Sequence, residues 1–349
     1  MYKEILIPVD NSDCSNHSID LAVELSRAFG STLVGNHVYA ARLHDDRFRQ
    51  MEPGLPEKYQ SETELQKQRD IHDSLITRGL EIISDSYLDV FAARCDKAAV
   101  PYRRSMREGK NYAEIVKDVE ENGYDLVIMG ALGLGEVKKS VIGSVCERTV
   151  RRLRKDVVVM KNNKPLKGGR IVVGIDGSAN SNYGVKTAVA LAKAFGAKVE
   201  AVSAFDPNFH YTAFHSIAKV LSDEAGKVFR FKEQEKLHEE IIDQGLARIY
   251  QDHLDNAAKL AKSEGFEMST HLLSGKAFEE VLKYVENDPP ALLIMGRVGF
   301  HAVDGLDIGS NTENLLRQAP CNVMIVSGRL ELESQKHAGE SMPWTDEAE

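Results

Sequence analysis

No two of the four cysteines in this 349-residue chain are close enough in sequence to form a CxxC pair. Cys14, Cys95, Cys146 and Cys321 therefore make neither a zinc ribbon nor a thioredoxin-like redox motif. No apolar run approaches the ~18 residues that a membrane helix needs, so no membrane span is expected. MYKEILIPVD passes straight into a strand with no secretory signal, and a reducing cytoplasm is the expected compartment. The net charge of −9 argues against a general nucleic-acid or membrane-surface partner, because both targets are polyanions. GxxxxGK[ST] is missing, which excludes a P-loop NTPase, and GALGLG has its glycines in the wrong order for a dinucleotide fingerprint. GIDGSANS has the wrong order for an SGGxDS pyrophosphatase loop, and no HxGH is found. His210, His215, His238, His253 and His271 form no HExxH or comparable pair and read as separate surface or half-buried side chains.

What the chain does contain is one unit written twice. Asp10 and Asp176 are separated by 176 − 10 = 166 positions. The same offset of 166 relates Gly30 to Gly196, Gly109-Lys110 to Gly275-Lys276, Gly130 to Gly296 and Gly143 to Gly309. A polar stretch with Pro165 and two glycines, residues 162–169, reads as the linker between domains at 1–161 and 170–328. The polar tail 329–349 is expected to be disordered.

Each unit alternates short β-branched runs with helical patterns. EILIPVD, TLVGNHVYA, PYRRSMRE, DLVIMG and VVVM are strands of the first half. RIVVGID, KVEAVSAF, MSTHLL, ALLIMG and NVMIVS are their counterparts in the second. Ser12 to Phe29 has helical spacing with Ile19, Ala22, Val23 and Ser26 on one face, and Gly30 ends it. Serines after Asp10 and Asp176 read as helix caps rather than nucleophiles. Arg148, Arg151, Arg152, Arg154 and Lys155 read as cations of a solvated last helical turn. Apolar strands alternating with helices predict a parallel sheet covered on both faces. In such sheets ligands bind at the carboxyl ends of strands near the switch in strand order, hence after Asp10, Gly130, Asp176 and Gly296.

Two segments after these strands share a glycine pattern. MGALGLGEVKKSVIGSV places Gly130, Gly133 and Gly143-Ser144 in the spacing G-x2-G-x9-G-S. MGRVGFHAVDGLDIGSN repeats it with Gly296, Gly299 and Gly309-Ser310. Glycines permit positive φ and close approach of backbone to a ligand. A helix opening after Gly143 or Gly309 offers N–H donors and the positive end of its dipole to an anion.

This signature resembles the ATP-binding motif of the universal stress protein family. Both halves also carry the family's strand-one ending, PVDNS at Pro8 to Ser12 and GIDGS at Gly174 to Ser178. The similarity runs from Lys3 to Ser327. It implies two tandem α/β domains of Rossmann-like or flavodoxin-like (adenine nucleotide alpha-hydrolase-like) type, each with a five-stranded parallel sheet. It further implies ATP or a related adenine nucleotide as ligand, with or without Mg2+, an unidentified protein partner, and an intramolecular pseudo-dimer open to further homodimerisation. By that resemblance Pro8, Val9 and Asp10, with Ile175 and Asp176, end strand one on the adenine side. Val38 borders the base, matched by the smaller Ala204. Met129-Gly130 and Met295-Gly296 line ribose and phosphates. Gly133, Gly143, Ser144 and Val145, with Gly299, Gly309, Ser310 and Asn311, cradle the phosphates.

The halves differ in chemistry. Gly174 replaces Pro8, and a loop with Asp304 and Asp307 replaces one with Lys138 and Lys139, which favours the first site for metal-free phosphate. The middle segments 41–100 and 206–265 carry long helical patterns, ETELQKQRDIHDSLITRGLEII and HEEIIDQGLARIYQDHLDNAAKLAK. Tyr211, Phe214, Ile217, Val220 and Leu221 are candidates for an apolar flap, against simple packing. No nucleophile and base are arranged for catalysis, and the resemblance implies a nucleotide-dependent binding or regulatory protein in the stress response. A slow ATPase or phosphotransferase and an adaptor for a lipid-like ligand are the alternatives. A flavin-binding electron-transfer protein is a more distant one.

Overall fold

The computed structural model describes residues 1–135, 141–207, 243–300 and 305–328. Lys138, Lys139, Asp304, the flap residues Tyr211 to Leu221 and the tail lie outside them. By compactness the chain forms two units. Met1–Gly169 with Asp288–Leu292 and Asn314–Met324 make the first, and Arg170–Asn287, Leu293–Glu313 and residues from Ile325 onward make the second.

In the first repeat the elements are β1 (Glu4–Pro8), α1 (Asp13–Phe29), β2 (Thr32–Tyr39), α2 (Ala41–Met51), α3 (Glu62–Ala98), β3 (Tyr102–Glu108), α4 (Asn111–Asn122), β4 (Leu126–Gly130), α5 (Ser144–Arg152) and β5 (Asp156–Met160). The strands are parallel in the order β3-β2-β1-β4-β5. Their cores are β-branched and apolar: Ile5, Leu6, Ile7, Val127, Ile128, Val157 and Val159 are almost wholly buried, as strands covered on both faces must be. The order reverses between β1 and β4, and a crevice opens at their carboxyl ends.

α1 begins at the Ser12 cap, whose hydroxyl accepts the Ser15 N–H, and ends at Gly30 with φ 70°. Its buried face is Ser15, Ser18, Ile19, Ala22, Leu25 and Ser26, with Leu21 beside them. Val23, expected on that face, is half-buried, because at i+4 from Ile19 it lies at the margin of the buried arc centred on Ser15, Ser18, Ala22 and Leu25.

The long helical pattern of the first middle segment is α3, which runs through 37 residues, past the stretch ending at Ile83, to Ala98. Only its last stretch docks, through Ser84, Leu88, Phe91 and Cys95. Phe91 lies where a side chain on Gly35 of β2 would be, 2.4 Å from a Cβ built there. The earlier part has no buried residue and packs with α2, through stacked rings of Phe48 and His72 at 4.3 Å and a bidentate Arg69–Glu52 pair.

The second repeat repeats the plan with β6 (Arg170–Gly174), α6 (Ala179–Phe195), β7 (Lys198–Phe205), α7 (Asp243–Ser263), β8 (Ser269–Ser274), α8 (Ala277–Asn287), β9 (Leu292–Gly296), α9 (Ser310–Gln318) and β10 (Asn322–Val326). Its strand order is β8-β7-β6-β9-β10, with β6–β7 and β7–β8 parallel. Ser178 caps α6 as Ser12 caps α1, and Gly196 ends it with φ 63°. Both serines are cap residues, as their position after the aspartate predicts.

Candidate functional site

At the crevice of the first repeat lies a cavity of about 470 Å³. Ten residues expected there line it: Pro8, Val9 and Asp10 after β1, Val38 on β2, Met129 and Gly130 on β4, then Gly133, Gly143, Ser144 and Val145. The fold brings these together from three stretches more than 100 positions apart at the extremes. It adds residues the sequence reading missed: His37 beside Val38, Asn111 and Ile115 of α4, and Cys146 and Glu147 of α5. His37 was legible as Val38's neighbour at the strand end. α4 carried no such signal, since only packing sets it over β2.

The two oxygens of Asp10 are used inside the protein. Oδ1 accepts the Ser12 N–H at 3.0 Å and the Ser12 hydroxyl at 2.6 Å. Oδ2 accepts the Leu134 N–H at 3.2 Å. Asp176 repeats this with the Ser178 N–H at 3.0 Å and the Phe300 N–H at 3.1 Å. Each aspartate thus ties the end of strand one to the loop after strand four, a role beyond the expected contact with the base.

The glycines of the signature do not owe their identity to backbone twist, since none of the six has positive φ. Crowding explains them. A Cβ on Gly133 would lie 2.3 Å from Asp10 Oδ2, and one on Gly299 2.6 Å from Asp176 Oδ2. Gly130 and Gly296 face the first turn of the capped helix instead, with Cys14 Cβ and Asn180 Cβ each 2.9 Å from the added atom. Gly143 donates its N–H to Ala131 C=O at 2.7 Å and Gly309 donates to Arg297 C=O at 2.8 Å, closing each loop at its base.

α5 starts at Gly143 with no side-chain cap, unlike α1 and α6. Its first-turn N–H groups have no intrahelical acceptor, and they open at the cavity beside Ser144 and Val145. That end suits an anion.

His37 donates from Nδ1 to Val9 C=O at 2.6 Å, which leaves Nε2 as the acceptor. Burial pushes its pKa down, against the opposing pull of the Val9 carbonyl and Asp10. Ser203 occupies the equivalent position, and its hydroxyl donates to Ile175 C=O at 2.6 Å. Val38 and Ala204 are both buried. Gly174 stands where Pro8 does because Met295 fills the space, its Sδ 2.5 Å from an added Cβ. Tyr250, His253 and Phe300 gather beside Gly177, with ring centroids 5.6 Å and 6.4 Å from His253.

One charge of the second site escaped the sequence reading. Arg297 takes the place of Ala131 and is 3% exposed. Its Nε donates to Ser327 Oγ at 2.8 Å and a terminal nitrogen to the Asp307 carbonyl at 3.4 Å. A buried guanidinium therefore stands at the foot of this loop, bonded to the Asp307 backbone, and it adds a positive charge that the aspartates of the loop sequence do not reveal. Ser310 and Asn311 open α9 as Ser144 and Val145 open α5. Among the described residues no group of three or more His, Cys, Asp or Glu is placed to hold a metal ion.

Comparisons with known proteins converge on one family. The model of the universal stress protein family matches residues 1–161 and again 168–327. Universal stress protein MJ0531 of Methanocaldococcus jannaschii is 28% identical over 166 residues, covering 47% of this chain and 85% of that protein. A Thermus aquaticus universal stress protein is 28% identical over 156 residues, 45% of this chain and 96% of its own length. Among solved structures, a universal stress protein from Archaeoglobus fulgidus superposes with a TM-score of 0.59 at 16% identity, covering 93% of this chain and 98% of that one. At this identity the last likeness speaks for the fold.

Proposed function

This chain belongs to the universal stress protein family, and from that premise we propose that each repeat binds ATP or a related adenine nucleotide. The protein would then act in the stress response as a nucleotide-dependent binding or regulatory protein, in the cytoplasm, with a protein partner yet to be identified. The observation that supports this most directly is the first-repeat cavity, where strand ends and an uncapped helix N-terminus meet.

In this reading Pro8, Val9 and Val38 form the base end, and Met129 and Gly130 the floor beneath ribose and phosphate. The phosphates lie on Gly133, Gly143, Ser144 and Val145, where free N–H groups and the helix dipole neutralise them. Ile175, Asp176, Ala204, Met295, Gly296, Gly299, Gly309, Ser310 and Asn311 serve the second repeat. Residues 1–161 and 170–328 are the two domains, 162–169 the linker. Asp10 and Asp176 give ligand binding a route outward: each holds the phosphate loop to strand one, so a nucleotide that reshapes the loop shifts the state a partner meets.

The test is to purify the chain without added nucleotide, denature it and chromatograph what is released. ATP or ADP in the unmodified protein, lowered by Gly143→Val or Gly309→Val and lost in the double variant, is the expected result. No released nucleotide, and no binding when ATP is supplied with and without magnesium, overturns the reading.

A further inference from the structure

Beside the first cavity three cations converge on one aromatic ring. Lys110 Nζ lies 5.2 Å from the centroid of Tyr112, Arg148 Cζ 5.4 Å and Arg152 Cζ 4.8 Å. All three are exposed, and Tyr112 is half-buried. None forms an ion pair with a carboxylate among the described residues; Arg152 instead donates to the Arg148 carbonyl at 3.0 Å. The nearest carboxylate on the same helix, Glu147, is engaged by Arg317 at 2.6 Å and Arg151 at 3.7 Å. Arg148 and Arg152, expected among the cations of a solvated last helical turn, stack on Tyr112.

Placement relates the cluster to the site. Ser144, Arg148 and Arg152 are at i, i+4 and i+8, one face of α5, spanning about 12 Å along its axis. Long helical side chains lean toward the N-terminus, so Arg148 reaches back toward the turn that opens the phosphate end. Asn111, between Lys110 and Tyr112, itself lines the cavity. The ring is a fixed, planar support for all three cations. The second repeat lacks the device: at the offset of 166, Arg148 becomes Asn314, Arg152 becomes Gln318 and Tyr112 becomes Phe278. Its remaining cation, Lys276, lies 4.0 Å from Glu279.

We propose that Lys110, Arg148 and Arg152 form an outer phosphate subsite, present in the first repeat only, that takes the distal phosphates of nucleoside polyphosphates. The inference rests on reading the first site as a nucleotide site. The inner subsite at Gly133, Gly143, Ser144 and Val145 receives the phosphates nearest the ribose, and the cations about Tyr112 receive what extends beyond. The two repeats therefore differ in the phosphate chain length they prefer, the first gaining affinity with each added phosphate and the second gaining less.

The experiment titrates the full chain with AMP, ADP, ATP and adenosine tetraphosphate, without divalent cation, at two salt concentrations. In Arg148→Ala/Arg152→Ala, the affinity of one class of sites for ATP and the tetraphosphate should fall by roughly 10- to 100-fold, with AMP unchanged. Arg148→Lys/Arg152→Lys should restore most of it. An equal loss for AMP and ATP would assign the cluster a structural role and overturn the proposal. Unchanged ATP affinity would overturn it too. If the unmodified chain binds none of the four, the nucleotide reading itself has failed, an outcome distinct from both.

Discussion

Asp10 and Leu134 are 124 positions apart, and the Oδ2 of Asp10 accepts the Leu134 N–H at 3.2 Å. One carboxylate so links strand one to the loop after strand four, and Asp176 makes the same link to Phe300. Replacing Asp10 by Asn keeps the shape but turns one oxygen into an NH2, which must face either the Ser12 or the Leu134 N–H. We expect Asp10→Asn to weaken nucleotide binding at the first site by about tenfold, the size of one lost charge-assisted hydrogen bond, and leave the second site unchanged. Titration calorimetry resolving two site classes checks this; an equal change at both sites would contradict it.

The signature glycines divide into two kinds. Gly130 faces the backbone of α1, with Ser15 N 2.9 Å from an added Cβ, whereas Gly133 faces only the Asp10 carboxylate. Gly130→Ala should cost about 1–3 kcal/mol of stability. Gly133→Ala displaces the Asp10 carboxylate from the Leu134 N–H and should cost less stability than Gly130→Ala while lowering nucleotide affinity. Thermal melts paired with binding isotherms separate the two, and equal melting losses would remove the distinction.

Burial holds the His37 pKa below its ordinary value of about 6.5. The unfolded chain therefore takes up this proton at a higher pH than the folded one. The contribution is complete above about pH 6.5 and declines as pH falls from there toward the folded pKa, where it levels off. Urea titrations between pH 8 and 5 should show a steeper loss in the unmodified chain than in His37→Gln; parallel curves would refute the assignment.

Within the first unit, Lys161 Nζ donates to the Ala319 carbonyl at 2.6 Å and the Arg317 carbonyl at 3.3 Å. Burial brings its pKa down to about 8, with Cys321 and Cys146 pulling the other way. Between about pH 8 and the unfolded value of about 10.4, the unfolded chain binds the extra proton. The Lys161 contribution should thus rise with pH across that window. Lys161→Met should flatten this part of the stability profile; an unaltered slope would mean the ammonium is better solvated than its surroundings suggest.

Repetition, the alternation of strands with helices, and the caps were legible because they are local or periodic. The offset of 166 needed only two copies of Asp10, Gly130 and Gly143, and Ser12 and Gly30 bracket α1 by their own stereochemistry. α2 escaped because RLHDDRFRQM carries no apolar stripe to betray a helix, and it stands by packing on α3. The docking of α3 was not legible because its residue Phe91 is matched to a hole at Gly35, 56 positions earlier.

The sequence by itself determined two α/β repeats and the glycine spacing of their sites, since backbone preference and apolar periodicity act over a few residues. Tertiary structure alone decided what those residues touch. It spent the oxygens of Asp10 on Ser12 and Leu134, put Arg297 beneath the second loop, and gathered Lys110, Arg148 and Arg152 around Tyr112. Charges and hydrogen bonds act over a few ångströms of space, and only the folded chain brings residues distant in sequence within that range.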